Sequence, residues 1–279
     1  DHPLPGASGA YAEQLLALPA GLIELRGTAT IVDRDGDSIS DSATIDLGGN
    51  IRFADDGPAI SGGGSAPLLE TDDSMLAVNA SGSFAGLFSP ALSFGADGPG
   101  TVAYELGVTA GPSGLVDSLS GEAVTLALVG GVIVGSTSTH EVFRISVDAA
   151  GVVTFDQSRA VRHTPDSGPD QSVSLSGSNL ITLTAIATDG DGDTARATVD
   201  ITGRFAIRDD APQAVADSDN VARDGEIFAD GNVLTGIGGV DINGVDGVAD
   251  SAGNDGGLRV MAIAYGSTAG ALGSALAGN

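Results

Sequence analysis

Two short segments carry the densest chemistry in this chain: Asp33-Arg34-Asp35-Gly36-Asp37 and Asp189-Gly190-Asp191-Gly192-Asp193. Each places three carboxylates at alternating positions around a glycine. At about 4 Å, two like charges repel by about 1 kcal/mol in water and by several times that near a protein surface. A divalent cation removes this penalty. Ca²⁺ takes about six to eight oxygen ligands, which Asp side chains, backbone carbonyls and water supply. Glycine lets the loop turn so that carboxylates and carbonyls converge. Of the 37 acidic residues, 30 are Asp and 7 are Glu. The short side chain of Asp suits coordination within a loop, whereas solvated acidic faces mix Asp with Glu. The spacing is not that of an EF-hand, which needs flanking helices and a Glu at its twelfth position; here those positions hold Thr44 and Asp200.

Each loop is followed by an Asp-Asp pair: Asp55-Asp56 before Gly57-Pro58, and Asp209-Asp210 before Ala211-Pro212. The pairs read as junctions whose proline stiffens the chain and whose carboxylates share a metal with a neighbouring domain. Asp217 and Asp219 stand where they would complete such a site, and Glu70, Asp72 and Asp73 stand in a comparable place after the first junction. Asp241-Ile242-Asn243, Asp246, Asp250 and Asn254-Asp255 also have ligand-like spacing. The candidate metal ligands are therefore Asp33, Asp35, Asp37, Asp55, Asp56, Asp189, Asp191, Asp193, Asp209, Asp210, Asp217 and Asp219, with Ca²⁺ as the ion.

The elements that must hold these carboxylates repeat along the chain. Ile31-Val-Asp-Arg-Asp-Gly-Asp-Ser reads like Ala187-Thr-Asp-Gly-Asp-Gly-Asp-Thr, and Ala43-Thr-Ile-Asp-Leu like Ala197-Thr-Val-Asp-Ile. Leu22-Ile-Glu-Leu reads like Leu180-Ile-Thr-Leu. The offset is about 155 residues, a domain-sized period. The division it suggests is a partial repeat over 1–58, a complete repeat over 59–212 and the opening of a different unit over 213–279, a segment of a longer array.

The local pattern is β. Glu141–Asp148 alternates, with Val142 opposite Phe143, Ile145 and Val147 unless a bulge intervenes. It enters a hairpin through Asp148–Gly151 into Val152–Phe155. Leu180–Ala187 and Ala195–Thr202 read as two further strands joined by the second acidic loop. Only Tyr11–Leu18 has helical spacing, ended by Pro19. The expected class is all-β: tandem Ig-like β-sandwich domains with acidic Ca²⁺-binding loops and junctions.

Composition narrows the function. The 279 residues carry a formal net charge of −26, every one of the 11 basic residues is Arg, and there is no Cys or Trp. Such a polyanion repels phosphate backbones and anionic membranes. It has no disulfide framework, thiolate metal site or thiol nucleophile. Its longest apolar run, Leu126–Val134, is far shorter than the ~20 residues of a spanning helix, so no membrane insertion is expected. The N-terminal Asp-His-Pro-Leu-Pro has no basic segment before an apolar one, and no signal peptide is expected. His2, His140 and His163 are isolated in sequence and read as structural or exposed. No Gly-x-Ser-x-Gly elbow, phosphate loop or acid/base pair supports an enzyme.

The run Leu-Ile-x-Leu, then Thr188-Asp-Gly-Asp-Gly-Asp-Thr-Ala195, then a strand and Asp209-Asp-Ala-Pro212, resembles the long repeat domains of very large bacterial surface adhesins exported by type I secretion and grouped with the RTX proteins. Val142-Phe-Arg-Ile-Ser-Val-Asp and Phe155-Asp-Gln-Ser-Arg-Ala-Val-Arg-His163 are similar to the same repeat. Residues 213–279, with Ala216-Asp-Ser-Asp and Gly231-Asn-Val-Leu-Thr-Gly, look like the start of a VCBS-type or related Ig-like repeat. The resemblance implies an extracellular, cell-surface, Ca²⁺-stabilised extender that functions in attachment or biofilm formation. Its partners would be neighbouring domains of the same chain, with self-association or a host or surface ligand as further possibilities. Two alternatives stand beside it: a subunit of a self-assembling filament or surface layer, and a ligand-binding adhesin tip.

Overall fold

The structure is a computed structural model and describes residues 15–164, 168, 170–216, 232–235, 248–265 and 268–270. Asp217 and Asp219, and the 241–246 stretch, lie outside the described residues. The protein is all-β. Its strands in chain order are β1 (Leu15–Ala17), β2 (Glu24–Val32), β3 (Ser38–Asp46), β4 (Arg52–Ala54), β5 (Leu69–Asp72), β6 (Ala80–Ser83), β7 (Thr101–Val108), β8 (Gly111–Val116) and β9 (Ala123–Val129). They continue with β10 (Val132–Ser136), β11 (Glu141–Val147), β12 (Val152–Gln157), β13 (Ser172–Ser174), β14 (Ile181–Thr188), β15 (Thr194–Asp200), β16 (Phe205–Arg208), β17 (Ile263–Tyr265) and β18 (Thr268–Gly270). The helical elements described are three-residue 3₁₀ turns. No helix among the described residues is long and apolar enough to cross a membrane.

The helix expected over Tyr11–Leu18 is corrected where it is described. Leu15–Ala17 is extended and pairs antiparallel with Arg52–Ala54. Pairing with a distant strand satisfies the backbone that a short, proline-stopped helix would have left half unpaired.

Packing separates two compact units: residues 1–65, 85–104 and 184–199, and residues 66–84, 105–183 and 200–279. This division follows contacts rather than the sequence period with its boundaries at 58 and 212. In the first unit, β2 and β3 form a nine-residue hairpin in unbroken register from Glu24↔Asp46 to Val32↔Ser38. Its side chains are exposed throughout, including Leu25, Ile31, Ile39 and Ile45. The acidic turns of both repeats are built alike. The Asp33 amide donates to the Asp37 carbonyl (2.9 Å) and the Asp189 amide to the Asp193 carbonyl (3.1 Å). Gly36 and Gly192 take φ of 99° and 105°, which an L-residue adopts only under strain.

In the second unit, a six-stranded antiparallel sheet of order β6-β12-β11-β10-β9-β8 lies against a three-stranded sheet of order β13-β16-β5. Phe155 of β12 meets Phe205 of β16 edge-on at 5.5 Å, and Phe84 stacks on Phe205 at 6.4 Å. Alternating strand positions fill this interior with Val153, Ile145, Ile133 and Val124. At Val142 the alternation breaks. Phe143 pairs with Gly135 but Glu141 with Ser136, so Val142 is an extra residue in a bulge, and Val142 and Phe143 are both fully buried. Gly135 permits this, because a Cβ there would stand 2.4 Å from the Phe143 ring.

Within the same unit, β16 pairs with β5 in parallel, from Phe205↔Leu69 to Arg208↔Asp72. Parallel register makes both strands end at one edge, so the residues that follow, Asp73 and Asp209, emerge side by side.

Candidate metal centre

The first centre lies in the first unit. Strand β4 leads into Asp55, and the β14–β15 turn carries Asp189–Asp193. Carboxylate oxygens of Asp55, Asp191 and Asp193 lie within 4.8 Å of one another. Asp55 is 5 % exposed and Asp189 6 %. The turn is organised by Asp189, whose Oδ1 accepts from the amides of Gly192 (3.1 Å) and Asp193 (2.8 Å). That leaves Asp189 Oδ2, Asp55 Oδ2, both oxygens of Asp191 and Asp193 Oδ2 buried without a hydrogen-bond partner. Burial, then the neighbouring negative charge of Asp189, holds the Asp191 carboxyl above its ordinary value. Burial, then the charges of Asp191, Asp55 and Asp189, raise Asp193. Converging carboxylates with unsatisfied, desolvated oxygens are unfavourable alone and form a ready donor set for a divalent cation.

Asp33, Asp35 and Asp37 also converge within 4.8 Å, but all three are exposed. Asp33 is held below its ordinary value, first by the hydrogen bond with Asp35. Among the described residues, no residue of another loop joins this group as Asp55 joins the other. Asp56 is placed apart from Asp55: its Oδ2 accepts from the Ala96 amide (2.8 Å) and its Oδ1 from the Gly57 amide (3.0 Å).

The second centre lies in the second unit. Asp73, His163 and Asp209 form one group of atoms within 4.8 Å, and Asp209, Asp210 and Asp255 form another. Asp73 is fully buried and His163 is 7 % exposed. Asp73 accepts from the Gln157 side chain and from the Val161 amide (3.1 Å). Burial nevertheless pushes its carboxyl up to about 7. Asp210 Oδ2 accepts from the Asn254 amide (2.6 Å), while Asp210 Oδ1 and Asp255 Oδ1 are buried without partners. Burial raises the Asp255 carboxyl, and the Asp210 and Asp209 charges add to the rise. A cavity of about 690 Å³ opens on these groups, lined also by Arg162, Thr164 and Arg259.

Of the ligands expected from sequence, Asp55, Asp191 and Asp193 are brought together, with Asp189 bordering them. Asp209 and Asp210 belong to the other group. Asp72 caps a 3₁₀ turn through the Ser74 amide (2.8 Å), Glu70 accepts from the Ser172 hydroxyl (2.6 Å), and Asp250 accepts from the Val215 amide (2.7 Å). His163, read from sequence as structural or exposed, is buried among carboxylates. Its sequence signal was its place at the end of the Phe155–His163 run that carries the family resemblance. His140 lies in a loop, its Nδ1 2.7 Å from the Thr139 hydroxyl.

Among known families, the one described as "Domain of unknown function (DUF5801)" matches residues 68–202. In comparisons with curated proteins and with solved structures, nothing matches the chain.

Proposed function

We propose that this chain is a calcium-stabilised extender segment of a secreted bacterial surface adhesin, acting at the cell surface in attachment or biofilm formation. One observation carries the reading. Asp55, from the Asp-Asp pair ending the first sequence repeat, joins Asp191 and Asp193, from the acidic turn of the next repeat. A cation at this group ties the end of one repeat to a turn of the following one. Oxygen-only donors suit Ca²⁺. Because the unfolded chain cannot gather these residues, binding free energy becomes folding free energy. Each site at ten times its dissociation constant adds about 1.4 kcal/mol. Extracellular modules bind Ca²⁺ at about 0.1–1 mM, so such a chain stays loose before export and sets after it. The resemblance to type I-secreted adhesin repeats supports the same reading.

The test is thermal unfolding in millimolar CaCl₂, in EGTA and in MgCl₂. A Ca²⁺-specific rise in Tm is expected. Equal melting in all three would refute the reading. A second reading, a self-associating filament subunit, is favoured by the exposed apolar residues of the β2–β3 hairpin, Leu25, Ile31, Ile39 and Ile45. Concentration-dependent sedimentation separates it from the first.

A further inference from the structure

We infer that Asp73, His163 and Asp209 form a separate site for a first-row divalent transition ion of the zinc type, chemically distinct from the oxygen-only group at Asp55, Asp191 and Asp193. The imidazole decides this. His163 Nε2 lies 3.0 Å from the Ile207 carbonyl oxygen, which can only accept, so Nε2 carries the proton. In the neutral ring, Nδ1 then presents a lone pair. That lone pair faces Asp209 Oδ1 at 3.1 Å and Asp73 Oδ2 at 3.8 Å, in a side chain only 2 % exposed.

Lone pairs facing lone pairs at these distances repel, and something positive must stand between them. A proton on Nδ1 serves poorly, because Nδ1 has no hydrogen-bond partner despite its closeness to Asp209. A metal ion meets the geometry. Ligand atoms about 2.0–2.1 Å from a tetrahedral ion stand about 3.4 Å apart, between the two measured separations. Imidazole suits zinc, cobalt and copper, whereas Ca²⁺ takes oxygen. The surroundings are those of a metal-binding histidine: the far ring nitrogen donates to a backbone carbonyl, and the carboxylate of Asp73 is itself held by Gln157 and the Val161 amide. The sheet supplies the placement, because parallel β5 and β16 deliver Asp73 and Asp209 to one edge.

The test uses the whole chain, free of any purification tag and stripped with chelator. Zn²⁺ is titrated by calorimetry in millimolar Ca²⁺, and Co²⁺ by its visible absorption. One Zn²⁺ per chain that millimolar Ca²⁺ does not displace is expected. His163→Gln should weaken it at least about tenfold, with the far-ultraviolet circular dichroism unchanged. Asp191→Asn should leave it intact while removing Ca²⁺ stabilisation, which separates this site from the calcium reading. Because a variant at a buried position can fail to fold, the unmodified chain labelled with ¹⁵N-histidine provides a second readout. Zn²⁺ should shift the Nδ1 resonance of one histidine while its Nε2 proton persists. If that Nδ1 stays protonated in Zn²⁺, or Zn²⁺ binds His163→Gln as well as the unmodified chain, the cluster is a buried ion pair and the inference is overturned.

Discussion

Asp55 and Asp191 direct carboxylate oxygens into one group, within 4.8 Å, although one follows β4 and the other lies in the β14–β15 turn. Both present buried oxygens without hydrogen-bond partners. Asp191→Asn and Asp55→Asn should therefore each abolish most of the Ca²⁺-dependent rise in Tm. In EGTA, Asp191→Asn should melt at or above the unmodified chain, because it relieves like-charge repulsion. Asp35→Asn, in the exposed turn, should change either value far less. Differential scanning calorimetry of the three variants checks this, and an undiminished Ca²⁺ response in Asp191→Asn would count against the site.

The same carboxyls fix how metal-free stability depends on pH. Asp73, Asp191, Asp193 and Asp255 sit above their ordinary values, Asp73 at about 7. Their folded forms hold protons that the unfolded chain has released. For raised carboxyls, stability is present at low pH and lost as pH rises, here between the ordinary carboxylate range and about 7. In EGTA, Tm should rise when pH is lowered from 7 to about 5. In Ca²⁺ the trend should flatten or reverse, because protons compete with the ion. Paired melts at several pH values measure both signs.

Asp117 runs the other way. Burial pushes its carboxyl up, but hydrogen bonds from Arg159 and Ser120 outweigh it and bring the value down to about 2. Asp117 is fully buried, and its Oδ1 and Oδ2 accept from Arg159 Nε (2.8 Å) and Nη2 (3.0 Å). This lowered value means stability that is complete above pH ~4 and lost as pH falls through about 2. Asp117→Asn should lower stability by about 2–4 kcal/mol at pH 7, since it strips the Arg159 guanidinium of its counter-charge. Denaturant melts at pH 7 and 3 should show a smaller gap between variant and parent at pH 3.

Gly135 faces Phe143 so closely that Gly135→Ala would drive a methyl group to 2.4 Å from the ring. The ring is fully buried and meets Phe155 edge-on at 5.4 Å, so it has little room to yield. A loss of about 1–3 kcal/mol is expected by urea unfolding, with the m-value unchanged.

The β class, the hairpins and the repetition were legible in the chain because they are local: alternation sets strands, Asp-Gly turns set connections, and the two acidic turns share one hydrogen-bond pattern. The pairs Asp55-Asp56 and Asp209-Asp210 were legible as candidates for the same reason. Three things were not. Leu15–Ala17 is a strand because Arg52–Ala54 pairs with it, a partner no local period announces. Val142 is buried with Phe143 because a bulge resets the alternation. Asp73 and His163, far apart in sequence, meet beside Asp209 because β5 and β16 pair in parallel. Residue types and their spacing determined on their own that this chain would carry clustered carboxylates in its Asp-Gly turns and in the Asp-Asp pairs that follow them. Which carboxylates converge, which lose water and which face an imidazole was decided by long-range strand pairing, since only the folded sheet brings those groups within reach of one ion.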